Sequence, residues 1–286
     1  MNTTVTSTDG ATIGYRQVGH GPGVVLLHGA MSSGHNHMQL ASALADAFTV
    51  VVPDRRGRGL SGPHRPGHDL RTEVDDLAAV LRATGARHLF GVSAGADVCL
   101  RAALDLPGVD KVAVYEPAVF PDGSAPTDLL ARFDRELAAG RVADALVTGM
   151  RAAKMGPPVF NAVPHRLLAR LVTMAMAGEE RKGTGDYVPM RALAPTLTHD
   201  FHIALELSSA LESLKAMPVE VLLLGGSKSP AYLKVALDAL ERLLPRVRRV
   251  ELAGLGHDAS WNADRRGRPE PVARELRAFF TGQGRP

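Results

Sequence analysis

Residues 88–98 read HLFGVSAGADV. An apolar run from His88 to Val92 gives way to small residues, and Ser93 stands between Gly91 and Gly95. With 29 glycines and 13 serines in 286 residues, Gly-x-Ser-x-Gly arises by chance roughly 0.1 times in a chain of this composition. The match therefore takes its meaning from its setting: a strand must end at the serine and a helix must begin just after it.

The flanking sequence supplies that setting. Short apolar runs recur at VVLLHG (24–29), TVVVPD (49–54), HLFGVS (88–93), KVAVYEP (111–117), VEVLLLGG (219–226) and RRVELAG (248–254). Several are apolar on successive residues, as parallel strands covered on both faces require. Between them lie helical periods. Leu70, Val74, Leu77 and Leu81 are spaced by three and four within 69–85, with Gly85 as a stop, and Leu233, Leu237, Leu240 and Leu244 repeat the spacing within 229–245. Residues 3–19 read as two further strands turning at Asp9-Gly10. The expected fold is α/β: a mostly parallel eight-stranded sheet with helices on both faces.

The alternation stops between 121 and 212. Helical patterns near 127–139, 141–154, 163–177 and 200–215 follow one another without a strand, with Gly and Pro clustered at 156–158 and a flexible loop expected at GEERKGTGD (178–186), where KGTGD is a candidate hinge. The expected organisation is a core in two parts, 1–120 and 213–286, with a helical cap, 121–212, inserted after the sixth strand. Met150, Met155, Met174, Met176 and Met190 put five of the nine methionines in the insertion, suited to an adaptable apolar pocket or to ordinary helix packing.

In this layout Ser93 sits on a sharp strand-to-helix turn. Its flanking glycines leave room for close backbone packing, and the helix N-terminus behind it offers N–H groups where negative charge develops. GVSAG (91–95), LLHGA (26–30), DRRGRGLSG (54–62) and GLGHDAS (254–260) together resemble the α/β-hydrolase family over nearly the whole chain. The resemblance implies Ser93 as nucleophile and His257, after the last strand, as general base. It implies an oxyanion hole from the backbone of Ala30 or Met31 with Ala94, and it leaves His28 to brace its loop. GRGLSG (57–62) formally matches a dinucleotide fingerprint, but PHRPG follows where a helix would have to open, so no cofactor is expected.

A Ser-His pair needs a third group to hold the imidazole tautomer. The family usually supplies an aspartate beyond the penultimate strand, where this chain has LLLGGSKSPAYL with no carboxylate; Asp238 lies well inside the next helix. Three explanations stand open. Glu116, ending the preceding strand, could reach the histidine, as a glutamate does at the equivalent strand end in some haloalkane dehalogenases. Ser227 or Ser229 could accept the histidine N–H instead, or the triad could be incomplete. Asp258 is adjacent to His257, and neighbouring side chains on a turn diverge.

Composition bounds the function. Hydrophobic residues are 45%, charged residues 22% and aromatics 5%, with a net charge of +3 spread in mixed signs. A nucleic-acid binder would concentrate basic charge with aromatics on one face. The start shows no basic segment with an apolar stretch behind it, no apolar run reaches 18 residues, and Cys99 is the only cysteine. The expectation is a cytoplasmic protein, bacterial by its Arg- and Ala-rich composition, monomeric or homodimeric, acting on a small molecule without nucleic acid, membrane or cofactor. No His-Glu-x-x-His run suggests a metal, and HNH (35–37) reads as a pocket-rim or surface feature. The expected activity is hydrolysis of an ester, lactone or thioester through an acyl-enzyme on Ser93. The alternatives are C–C bond hydrolysis or cofactor-free peroxidase chemistry on the same fold, or ligand binding without turnover.

Overall fold

The computed structural model describes residues 2–154 and 162–282. Met155 and the Gly-Pro cluster at 156–158 lie outside the described residues. β1 (Asn2–Thr6) and β2 (Thr12–Gly19) form an antiparallel hairpin, with Gly10 at φ 81° in the turn. β2 pairs antiparallel with β4 (Thr49–Pro53). From there β3 (Gly23–Leu27), β5 (His88–Val92), β6 (Lys111–Tyr115), β7 (Glu220–Gly226) and β8 (Val247–Leu252) continue in parallel. The eight strands stand in the order β1-β2-β4-β3-β5-β6-β7-β8.

Side chains alternate across a strand, so each apolar run feeds two cores at once. Val25, Leu27, Val51, Leu89, Val112, Val114, Val221 and Leu223 face α2 (Leu70–Thr84), α3 (Ala94–Asp105) and α9 (Ala231–Leu243). Val24, Leu26, Val50, Val52, Phe90, Leu222 and Leu224 face α1 (Met38–Leu44) and α10 (Pro269–Phe280). At about 1.5–3 kcal/mol for each fully buried Val, Leu or Phe, this double burial is what holds the strands in register. The local signals act as expected at α2: the Asp69 carboxylate accepts the Thr72 N–H at 2.8 Å at its start, and Gly85 closes it at φ 69°.

Between β6 and β7 the described residues hold helices and no strand: α4 (Thr127–Ala138), α5 (Val142–Ala152), α6 (His165–Lys182), α7 (Met190–Leu193) and α8 (Leu197–Ser209), then a 3-10 turn at Leu211–Ala216. The loop expected at 178–186 is shorter, because α6 runs on to Lys182 and stops at Gly183, whose φ is 76°. Its last turn is GEERK, good helix formers apart from the glycine. α1 and α7 are too short to show a period. α10 was not among the expected helices, although Val272, Leu276, Phe279 and Phe280, all buried, carry the three- and four-residue spacing.

Candidate active site

The C-terminal ends of the parallel strands carry the site. Ser93 follows β5 at φ 53°, ψ −126°, a conformation that costs a non-glycine residue energy and is held by close packing around it. A Cβ on Gly91 would lie 2.4 Å from the Gly95 carbonyl oxygen, and one on Gly95 would lie 2.4 Å from that of His28. Both glycines are therefore demanded by backbone contact. Ala94 opens α3, so geometry leaves its N–H without an intrahelical partner. Met31 also has positive φ, 50°, and Ala30, Met31, Ser93, Ala94 and His257 all line one cavity of about 530 Å³.

β6 lies beside β5, with Tyr115 opposite Val92 and Leu224 of β7 opposite Tyr115. Glu116 thus emerges one strand away from Ser93 and one strand short of the usual acid position. Its backbone is also held at positive φ, 48°, ahead of Pro117, and its N–H donates to the Leu224 carbonyl at 3.0 Å. The side chain is buried. One carboxylate oxygen accepts the Gly226 N–H at 2.6 Å, and the other accepts from His257 Nδ1 at 2.6 Å. Gly225 makes room for it, since a Cβ there would lie 3.3 Å from Glu116 Oε1. With Nδ1–H donating to Glu116, the Nε2 lone pair of His257 is the basic one. Ser227 is engaged elsewhere, its hydroxyl accepting the Gly254 N–H at 2.8 Å.

The His257 loop is pinned from two sides. The Tyr115 hydroxyl donates to the Gly256 carbonyl at 2.7 Å. Asn262 accepts the Gln39 N–H at 2.9 Å and donates to the His35 carbonyl at 2.8 Å, and His37 Nδ1 meets the Ser260 carbonyl at 3.2 Å. The HNH run is therefore a correction to the sequence expectation: Asn36 and His37 are buried and brace the His257 loop. Burial holds His37 at a pKa of about 4, so it serves as a neutral hydrogen-bonding group. His28 is fully buried, with Nδ1 on the Gly29 carbonyl at 2.9 Å and Nε2 accepting the Arg55 N–H at 3.0 Å. Burial drives its pKa well below the ordinary range. Both its nitrogens are occupied by backbone.

Several cavity residues carried no motif: Phe120, Leu146, Phe201, Tyr232 and Trp261 among the apolar ones, and Asp200 from α8. Asp200 is buried and accepts from Arg55 Nη1 at 2.7 Å and Arg58 Nη2 at 2.6 Å. Arg55 in turn holds Glu73 through two bonds, of 2.8 and 3.0 Å. Burial alone would lower the Arg55 pKa, but the two carboxylates outweigh it and raise it above the ordinary value. Burial lifts Asp97, one turn into α3, to about 8; its one bonded oxygen accepts the N–H of Ala118, a cavity residue, at 3.0 Å. Beyond Asp200 lie three histidines. Burial takes His64 to about 3 and His199 to about 4, so both are neutral at pH 7.

Residues 24–275 match the model of the Alpha/beta hydrolase family. The solved structure of an alpha/beta hydrolase from Sphaerobacter thermophilus is 32% identical, with a TM-score of 0.79 over 97% of this chain and 100% of that one. A 2-(acetamidomethylene)succinate hydrolase from Mesorhizobium japonicum is 32% identical over 36% of this chain and 38% of its own length. A non-heme chloroperoxidase from Streptomyces lividans is 34% identical over 48% of this chain and 55% of its own. The chain thus spans less than two thirds of the length of these two curated relatives. Among the described residues no helix is long and apolar enough to cross a membrane. With the strand order, the turn at Ser93 and a family match over most of its length, the chain belongs to the alpha/beta hydrolase family.

Proposed function

We propose that the protein is a serine hydrolase that cleaves a neutral, apolar ester, lactone or thioester through an acyl-enzyme on Ser93. The observation that carries this is the 2.6 Å bond from His257 Nδ1 to the buried Glu116 carboxylate, at a cavity that Ser93 also lines. Glu116 fixes the tautomer, so His257 Nε2 takes the Ser93 proton as Oγ attacks the acyl carbon. The N–H groups of Ala94 and of Met31 or Ala30 hold the oxyanion. Collapse breaks the bond to the leaving group, which departs with the proton from His257. Water then attacks the acyl-enzyme, giving its proton to His257, and the acid leaves. Residues 121–212 act as a cap that supplies much of the apolar wall.

Among the described lining residues there is no lysine or arginine, and the nearby Arg55 and Arg58, both buried and outside the lining, are ion-paired with Asp200. A substrate bearing a carboxylate would enter beside Asp200 without a free cation, at the cost of its hydration. Neutral esters are therefore expected to exceed their half-acid analogues in kcat/KM by about tenfold or more.

Intact mass after exposure to a fluorophosphonate tests the nucleophile. A single adduct is expected on the wild type and none on Ser93→Ala; an unlabelled, folded wild type overturns the proposal. The likeness to the Streptomyces lividans chloroperoxidase supports a second reading, in which hydrogen peroxide replaces water at the acyl-enzyme and releases a peracid. Peroxide-dependent halide oxidation, lost in Ser93→Ala, distinguishes it.

A further inference from the structure

The loop between β4 and α2 carries His64 and His68, and α8 carries His199, whose neighbours Asp200 and Phe201 line the cavity. The three imidazoles meet: each offers a ring nitrogen, and these nitrogens lie within 4.8 Å of one another. Each ring also keeps a buried nitrogen with no hydrogen-bond partner: Nε2 of His64, Nδ1 of His68 and Nδ1 of His199. The His68 side chain is fully buried, and its other nitrogen meets Glu73 Oε1 at 3.0 Å. Three buried imidazole nitrogens in one cluster each forgo a hydrogen bond, and that cost calls for a compensating ligand.

We propose that His64, His68 and His199 bind one divalent transition-metal ion of the zinc class. Three imidazoles suit zinc, cobalt or nickel, and three nitrogens leave a position for water. The Glu73 carboxylate on the far nitrogen of His68 is the outer-sphere partner that metal-bound histidines use to fix their tautomer. The adjoining charges balance, two guanidinium groups, Arg55 and Arg58, against Glu73 and Asp200. The His64 ring is seated by Gly57, where a Cβ would lie 2.5 Å from the imidazole. His64 and His199 stack, 3.9 Å between centroids and 17° between planes, so one ring must turn about its side-chain bonds for both lone pairs to converge. The ion would staple the β4–α2 loop to α8, the helix that brings Leu197, Asp200, Phe201 and Ala204 to the cavity.

The test is calorimetric titration of tag-free, chelator-stripped full-length protein with zinc chloride, with metal content measured after gel filtration. One zinc per chain is expected, with Kd on the order of 1 µM or tighter, and a rise in Tm on loading. His199→Gln and His64→Gln should each weaken binding by about 100-fold or more and abolish the Tm rise. His165→Gln, in the separate Glu136, Asp144 and His165 group, should leave both unchanged. Metal-edge absorption should report nitrogen donors near ~2.0–2.1 Å. Absence of stoichiometric binding to the wild type overturns the proposal, and so does undiminished binding by a folded His199→Gln or His64→Gln chain. Fluorophosphonate labelling of Ser93 is independent of either outcome.

Discussion

At the scale of single residues, Glu116 and Asp97 show how burial gives two carboxyl groups different tasks. Glu116 is satisfied on both oxygens, by the Gly226 N–H and by His257. Glu116→Gln keeps an acceptor for Gly226 but can present an N–H to His257 Nδ1, which favours the wrong imidazole tautomer. It should lower kcat by about 10³–10⁴, with KM within a few-fold and Tm nearly unchanged. Steady-state kinetics beside thermal melts decide this, and activity within about threefold of wild type would remove Glu116 from the mechanism. Asp97 is held protonated, its pKa raised by burial to about 8 in the folded chain against an ordinary 3.8. The sign follows: between about pH 4 and 8 the unfolded chain releases a proton that the folded chain retains. Stability present below pH 4 is lost as the pH rises, by up to about 1.4 kcal/mol per unit. In Asp97→Asn this loss vanishes, and the amide oxygen still accepts the Ala118 N–H. Urea unfolding from pH 4 to 8 should show the variant gaining on the wild type as the pH rises; parallel curves would refute it.

At the scale of elements, the turn from β5 into α3 is where sequence and packing constrain each other most. Gly95 packs against the carbonyls of Leu27 and His28, which belong to β3 and to the loop carrying Ala30 and Met31. A methyl group there meets backbone, which cannot rotate aside. Gly95→Ala should cost about 1–3 kcal/mol and displace that loop, lowering kcat more than KM. Gly178, inside α6, meets nothing within 4 Å. Gly178→Ala should instead gain about 0.5–1 kcal/mol through helix propensity, with unchanged turnover. Denaturant midpoints and kinetics of the two variants make the comparison, and equal effects would contradict it. The same turn shows what a short motif can specify: Gly-x-Ser-x-Gly at 91–95 anticipates a strand end, a helix start and a half-buried serine on the sharp turn between them, because all three depend on adjacent residues.

For the whole molecule, the coupling between the sheet and the helices inserted after β6 runs through buried charge. Arg55 and Arg58 follow β4, Glu73 lies on α2, and Asp200 on α8 closes the group. Removing Asp200 leaves the buried Arg58 guanidinium without its carboxylate and takes from Arg55 one of its two acidic partners. Asp200→Ala should therefore destabilise by about 3–5 kcal/mol, much more than Asp110→Ala, whose partner Arg87 is exposed. Chemical denaturation of both variants measures the difference, and comparable losses would show that the buried group is not what ties α8 down.

Local spacing along the chain encodes much of this fold. The alternation of apolar runs with three- and four-residue periods specified the parallel sheet, the glycines around Ser93 specified the strained turn, and GLGHDAS placed His257 after the last strand. Which distant groups meet depends instead on how the strands and helices pack. Glu116 and His257 are 141 positions apart, and their contact depends on β6 lying between β5 and β7 in one register. The absence of an acid after β7 was visible in LLLGGSKSPAYL, but the contact that Glu116 makes with His257 from the neighbouring strand depends on the strand order and the room left by Gly225. His64, His68 and His199 likewise show no shared spacing, and α8 brings the third ring to the other two. Spacing along the chain fixes direction and period over a few residues, whereas contacts between strand ends and across the cavity are set by how the two faces of the sheet pack.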